Sequence, residues 1–463
     1  MKNENLFMLI DRTKMAEKRL SALPCLPLDA GDMEFIYRPA EFKKEIIQQI
    51  RQAKQRIYIT ALYWQKDEAG KEILDEVLQA KARNPELDVK ILVDWHRAQR
   101  NLLGAAKTQT NADWYCEECS CLSCHEILFF GVPINTREVF GVLHVKGFVF
   151  DDTILYSGAS INNVYLHHGE RYRFDRYHKI KNTALANSLV DFINGYLLDP
   201  AAVHALDKAN PVKTKEIRAA IKNYRKNLAQ SGHYNFIPSM NKKDVQHMLT
   251  VSPLFGLGKT GNKLNRVIQN LFQVVENKLT ICTPYFNFPL PLQKRLKWLL
   301  KQGKQVEIIV GDKTANDFYI PPSEPFKMAG GLPYLYENNL RHFSKKFDDY
   351  IQSGQLVIRI WKDGDNSYHL KGVWVDNDYM LLTGNNLNPR AWRLDAENGL
   401  LIHDPNHELT AKADEELALI RQHTTILKSY TELETMDDYP APVQKLLKKF
   451  RRLKADAVVK MIL

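Results

Sequence analysis

HVKGFVFD at residues 144–151 and HLKGVWVD at residues 369–376 share the form H-x-K-x4-D and lie 225 positions apart in a chain of 463 residues. One such match arises by accident in roughly a few per cent of chains this long, but two in register are far rarer. The flanks repeat as well. SGASIN (157–162) follows the first copy and TGNNLN (383–388) the second, and Glu170 and Glu397 come after them. Upstream, RIYITALYW (56–64) reads as a strand, DEAGKEILDEVLQAKAR (67–83) as a helix and LDVKILVDW (87–95) as a strand. KLTICTPYF (278–286), PLPLQKRLKWLLKQG (289–303) and QVEIIVGD (305–312) give the same βαβ order again. Each unit leads through about 30 residues of irregular sequence into another short strand, EILFFG (126–131) or QLVIRIWK (355–362), and then into the motif. The expected fold is α/β: two similar halves with mixed sheets flanked by helices, facing each other across a pseudo-twofold.

In an extended strand alternate side chains share a face, so His144 projects with Lys146 and His369 with Lys371. Asp151 and Asp376 have the opposite parity and fall where each strand turns; they are expected to be structural, holding the turn or the Lys. Two halves face to face would bring two imidazoles and two fixed cations to one pocket, which suits a phosphodiester. One His attacks phosphorus while the other protonates the leaving group and then serves as base for an incoming hydroxyl. Lys146 and Lys371, with Ser160, Asn162, Asn386 and Asn388 from the following turns, would hold the nonbridging oxygens. A carboxylate behind each His would orient it. Glu397 is the clearer candidate, and in the first half spacing slightly favours Glu170 over Asp175. No metal or cofactor is required by this chemistry.

The composition is 44% hydrophobic and 25% charged, that of a globular chain large enough for at least two cores. The first twenty residues lack the pattern of a signal peptide, and no stretch has the length and apolarity of a membrane span, so the expectation is a cytoplasmic chain. The net charge of +10 attracts polyanions. Six of those ten charges lie in VQKLLKKFRRLKADAVVKMIL (443–463), where Val443, Leu446, Leu447, Phe450 and Leu453 form a helical stripe flanked by Lys445, Lys448, Lys449, Arg451 and Arg452. This favours an anionic membrane surface over nucleic acid as the partner. A terminal helix packed on its own domain is the alternative. Cys116, Cys119, Cys121 and Cys124, with His125, lie too close together for a structural zinc site to form easily, and a flexible loop with reduced thiols is expected there.

At these residues the chain resembles the phospholipase D superfamily, whose signature is a doubled H-x-K-x4-D with a downstream G-S-x-N. TGNNLNPR fits with Gly384 in place of Ser and Asn386 at the Asn position; SGASIN departs further, with Ser160 where Asn is expected. Longer blocks, among them LVDWHRAQR (92–100), FGVPINTREVFGVLHVKGFVFDD (130–152), VEIIVGDKTANDFYIP (306–321) and TGNNLNPRAWRLD (383–395), are similar to the bacterial CDP-diacylglycerol–serine O-phosphatidyltransferases of that superfamily. The resemblance implies transfer of a phosphatidyl group from CDP-diacylglycerol to L-serine with release of CMP. It also implies a phosphatidyl-histidine intermediate on His144, His369 as acid/base, and peripheral attachment to the inner face of the cell membrane. Another phospholipase D, cardiolipin synthase or phosphodiesterase activity is the rival implication. On this reading the chain divides into an extension (1–32), a first phospholipase D-like domain (33–240), a second (241–405) and a helical C-terminal region (406–463). Asp94, His96 and Arg97 in one irregular segment, and Lys313, Asn316 and Asp317 in the other, are candidate contacts for substrate.

Overall fold

A computed structural model describes residues 2–100, 109–121, 127–208, 212–237, 245, 247–321 and 323–452. Two mixed sheets carry the same strand order. In the first the order is His204–Ala205, Ile127–Val132, Asp88–Asp94, Arg56–Thr60, Gly147–Phe150, Thr153–Ser157, Tyr177–Lys181 and Met33–Ile36. In the second it is Thr424–Ile426, Leu356–Trp361, Gln305–Gly311, Lys278–Thr283, Gly372–Val375, Tyr379–Thr383, Ala396–His403 and Thr250–Gly256, with Leu26–Pro27 at the far edge. The three strands read from βαβ order run parallel in each copy, and the motif hairpin joins them antiparallel.

Period-two alternation places the cores. From the strand Arg56–Thr60, Ile57 and Ile59 enter a core shared with the outer helices of the first half, while Tyr58 enters a core between the sheets. Leu279 and Ile281 of the second half likewise face their own helices while Cys282 faces the joint core. That central core draws on both halves, with Leu92, Val132 and Tyr156 from one and Ile309, Trp361 and Leu400 from the other.

The structure corrects four expectations. The motif is not one strand: Gly147, at a φ of +125°, lets the chain bend, so Gly147–Phe150 stays in its own sheet while Leu143–His144 leaves it. The irregular segments hold helices, Asn111–Cys121 in the first half and Leu332–Lys346 in the second. Cys116 and Cys119 therefore sit on a helix rather than in a loop, whereas Cys124 and His125 lie outside the described residues. Residues of the extension pack on the second half: Leu26–Pro27 pairs with Thr250–Gly256, and Ala16 and Leu20 enter the second half's outer core. Finally, the apolar stripe of the helix Ala441–Arg452 is occupied: Val443 and Leu447 pack with Tyr334, Leu335 and Tyr439, and Phe450 packs against that cluster. Lys445, Lys448, Lys449 and Arg452 remain exposed, and the side chain of Arg451 and residues 453–463 lie outside the described residues.

Candidate active site

The strand Leu143–His144 runs parallel to Ala396–Glu397 of the other half, with His144 opposite Glu397. The His144 Nδ1 atom lies 2.9 Å and 3.0 Å from the two Glu397 oxygens. The reciprocal crossing occurs in a separate two-stranded sheet, where Ser367–Tyr368 runs parallel to Arg173–Phe174 and the His369 amide donates to the Phe174 carbonyl at 2.8 Å. One step further along, His369 Nδ1 is 2.7 Å from Asp175 Oδ2. Each imidazole thus takes its carboxylate from the opposite half. Glu397 stands behind His144 and not His369, and Glu170 is exposed and takes no part. Spacing misleads because Asp175 lies 31 residues after His144 and Glu397 28 after His369, so the longer turn in the first half makes Glu170 look equivalent.

Lys146 and Lys371 are buried beside the imidazoles. Lys371 Nζ contacts both ring nitrogens of His369 and lies 3.3 Å from Asp175 Oδ2. Lys146 Nζ reaches the Ala159 carbonyl at 3.4 Å, and its own backbone N–H and carbonyl both bond to the Asn398 amide at 2.8 Å. Burial, reinforced by the charge of Lys371, pushes Lys146 down to about 7; burial pushes Lys371 down to about 8 against the pull of Asp175. Burial also holds both imidazoles well below the ordinary histidine range, with the two lysines adding to it in each case. Burial lifts Glu397 well above the carboxylate range, helped by Asp395, and lifts Asp175 against Lys371. Two imidazoles and two ammonium groups that depress one another's charge form a single electrostatic unit, a neutral nucleophile facing a reserve of positive charge for an arriving phosphate.

The surrounding turns shape this pocket. Gly384 lies so close that a Cβ there would come within 2.9 Å of Lys146 Cγ, and one at Gly158 would meet Asp175 Oδ2 at 2.7 Å. Ser160, Asn162 and Asn388 are buried on those turns. The Asn162 and Asn388 oxygens accept the backbone N–H three residues on, from Tyr165 and Ala391, each at 2.9 Å. Both therefore support their turns. The buried side-chain oxygen of Asn386 has no hydrogen-bond partner among the described residues. Asp151 accepts from the backbone N–H groups of Lys54, Gln55 and Arg56, and Asp376 from those of Glu276, Asn277 and Lys278. These carboxylates tie the hairpins to the starts of the strands Arg56–Thr60 and Lys278–Thr283 and do not touch Lys146 or Lys371.

Of the candidate substrate contacts, Asp94 is fully buried; it caps the turn at His96 and Arg97 and accepts from the Leu143 N–H at 2.9 Å, which makes it an anchor for the His144 strand. His96 bonds to the Asn135 carbonyl, and Arg97 lies over the Tyr63 ring. Lys313 is paired with Glu337 and Glu434, and Asn316 caps Phe318, so these two fasten their own loop. Asp317 does reach the site, 2.9 Å from Arg173 Nε and from Tyr285 Oη. Tyr165, Arg173, Tyr285, Arg390 and Asn398 were not singled out by sequence. Only the ENG run after the second motif, whose Asn398 adjoins Glu397, offered a signal.

A doubled α/β unit whose two H-x-K segments meet in one pocket, each backed by a carboxylate from the other copy, defines a two-domain protein of the phospholipase D class. A family model described as "Cardiolipin synthase, PLD-like domain" matches residues 46–209 and 268–420, and the chain belongs to this phospholipase D-like family. Within it, the chain is 66% identical to the CDP-diacylglycerol–serine O-phosphatidyltransferase of Haemophilus influenzae over 98% of this chain and all of that protein. It is 50% identical to the enzyme of that name from Escherichia coli K12, over 96% and 98% of the two chains. The crystal structure of the Haemophilus influenzae phosphatidylserine synthase superposes with a TM-score of 0.94, covering 97% of this chain and all of that one.

Proposed function

We propose that this chain is a phosphatidylserine synthase that moves a phosphatidyl group from CDP-diacylglycerol to L-serine and releases CMP, with no cofactor. The observation that carries this reading is the pocket itself, two carboxylate-backed imidazoles and two buried lysines on one electrostatic unit, in a chain so similar to enzymes of that name. Glu397 holds Nδ1 of His144, which leaves Nε2 to attack phosphorus. The P–O bond to CMP breaks as the P–N bond to His144 forms, and His369, whose protonated form the negative charge of the bound diphosphate favours, supplies a proton to the departing phosphate. Serine then gives its hydroxyl proton to His369 as its oxygen displaces His144 from phosphorus. Lys146 and Lys371 hold the nonbridging oxygens throughout.

No helix among the described residues is long and apolar enough to cross a membrane. We place the protein at the inner face of the cell membrane through the exposed cations of Ala441–Arg452, acting by electrostatics rather than by inserting the already occupied stripe. The decisive experiment supplies purified protein with CDP-diacylglycerol and labelled serine, then quenches reactions given labelled lipid alone. Serine-dependent CMP release with lipid label mapped to the His144 peptide is the expected result. CMP release that water or glycerol supports as well as serine would assign the chain to a neighbouring activity of the family.

A further inference from the structure

The two halves match so closely that departures from the repeat carry information. Asp175 beside His369 corresponds to Glu397 beside His144, so Arg173, two residues earlier, corresponds to Asp395. On the His144 side this position is closed: Asp395 accepts from the Val142 N–H and pairs with Arg390 Nε, both at 3.0 Å. On the His369 side it carries the opposite charge and is open. Arg173 Nε donates to Ser367 Oγ at 3.2 Å and the guanidinium lies on the Tyr165 ring, 4.6 Å from its centre. Its terminal nitrogens have no hydrogen-bond partner among the described residues. Asp317 Oδ1 stands 2.9 Å from Nε, yet that hydrogen is directed at Ser367, which leaves Oδ1 buried without a hydrogen bond while Oδ2 accepts from Tyr285. Both side chains keep 14% exposure. An unspent guanidinium edge and an unspent carboxylate oxygen thus stand side by side next to the acid/base, since the Tyr165 hydroxyl that Arg173 covers is 3.1 Å from His369 Nε2.

We propose that Arg173 and Asp317 form the acceptor site, Arg173 taking the α-carboxylate of the incoming amino acid and Asp317 its α-ammonium group. This rests on the phosphatidyl-transfer reading and names what selects the acceptor. Arg173 shares a strand face with Asp175, and residues two apart on a strand are ~7 Å apart, a span that a three-carbon amino acid bridges with its hydroxyl bonded to His369. A planar guanidinium binds a carboxylate through two parallel hydrogen bonds. A zwitterion gives the terminal guanidinium edge and the free carboxylate oxygen each a hydrogen-bonding partner of opposite charge, whereas an acceptor lacking either charge leaves one of them without a hydrogen bond. The hydroxyl proton then passes to His369 as the new P–O bond forms and the P–N bond to His144 breaks.

The test compares, in full-length R173Q and D317N, kcat/KM for L-serine with that for ethanolamine, which lacks the carboxylate, and for L-glycerate, which lacks the ammonium group. The serine-to-ethanolamine ratio should fall at least tenfold in R173Q, and the serine-to-glycerate ratio at least tenfold in D317N. Because each ratio comes from one preparation, partial misfolding cancels. Ratios equal to those of the unsubstituted protein in both variants would overturn the proposal. A serine-free burst of CMP from the unsubstituted protein is run alongside; if it is absent, the phosphatidyl-transfer reading fails, and if it is present with unmoved ratios, only the acceptor assignment does.

Discussion

At the scale of single residues the pocket trades stability for reactivity. Lys146 has no carboxylate hydrogen-bonded to it, and its descent to about 7 means that the folded protein holds fewer protons there than the unfolded chain does between pH 7 and 10. Replacing it by Met should therefore raise stability at neutral pH, by on the order of 1–3 kcal/mol in denaturant titrations, while abolishing turnover. The same titration governs catalysis. If both ammonium groups must be charged to hold phosphate, kcat/KM for CDP-diacylglycerol falls as pH rises through about 7 to 8, the values of Lys146 and Lys371. The kcat profile, which reports the complex, should extend further into alkali because bound phosphate favours the charged lysines. A kcat/KM profile flat to pH 9 would show that neither lysine needs its proton. These two pairs of residues were legible in the sequence because a repeated H-x-K puts like groups on one strand face twice. Their pKa values were not, since burial is a property of the closed pocket.

Among the elements, the short segments around the motif do the positioning. Asp151 and Asp376 each receive three backbone N–H groups, and loss of either frees the hairpin from its neighbouring strand. D151A and D376A are each expected to cost about 1–3 kcal/mol in chemical denaturation. A Cβ at position 384 meets Lys146 rather than backbone, so G384A should displace the ammonium group and cut kcat by more than tenfold with a melting temperature within a few degrees. Unchanged kcat in G384A would mean that Lys146 tolerates the shift. The βαβ units were readable from periodicity. The break at Gly147 was not, because HVKGFVFD alternates as well as any continuous strand; what divides it is the competition between two partner strands, one of them from the other half.

For the whole molecule, the exchange of carboxylates makes the two halves one catalytic unit. Neither can assemble a carboxylate-backed imidazole alone, and the core between the sheets is contributed jointly. The surface charge is a separate matter. Reversing Lys445, Lys448, Lys449 and Arg452 to Glu should sharply reduce sedimentation with anionic vesicles, at ~1 kcal/mol per basic residue, and leave thermal unfolding near that of the unsubstituted protein because these side chains are exposed. Vesicle binding unaffected by the reversal would locate the docking surface elsewhere.

By itself the amino-acid sequence determined the doubled α/β unit, the pairing of His with Lys on each copy and the acidic anchors of the hairpins, because each follows from the alternation of side chains within a few residues. Which carboxylate serves which imidazole, whether the C-terminal stripe is free, and why Arg173 and Asp317 stand beside His369 were decided only by tertiary structure. Those relations depend on strand register and packing between segments some 110 to 250 residues apart, which no local period encodes.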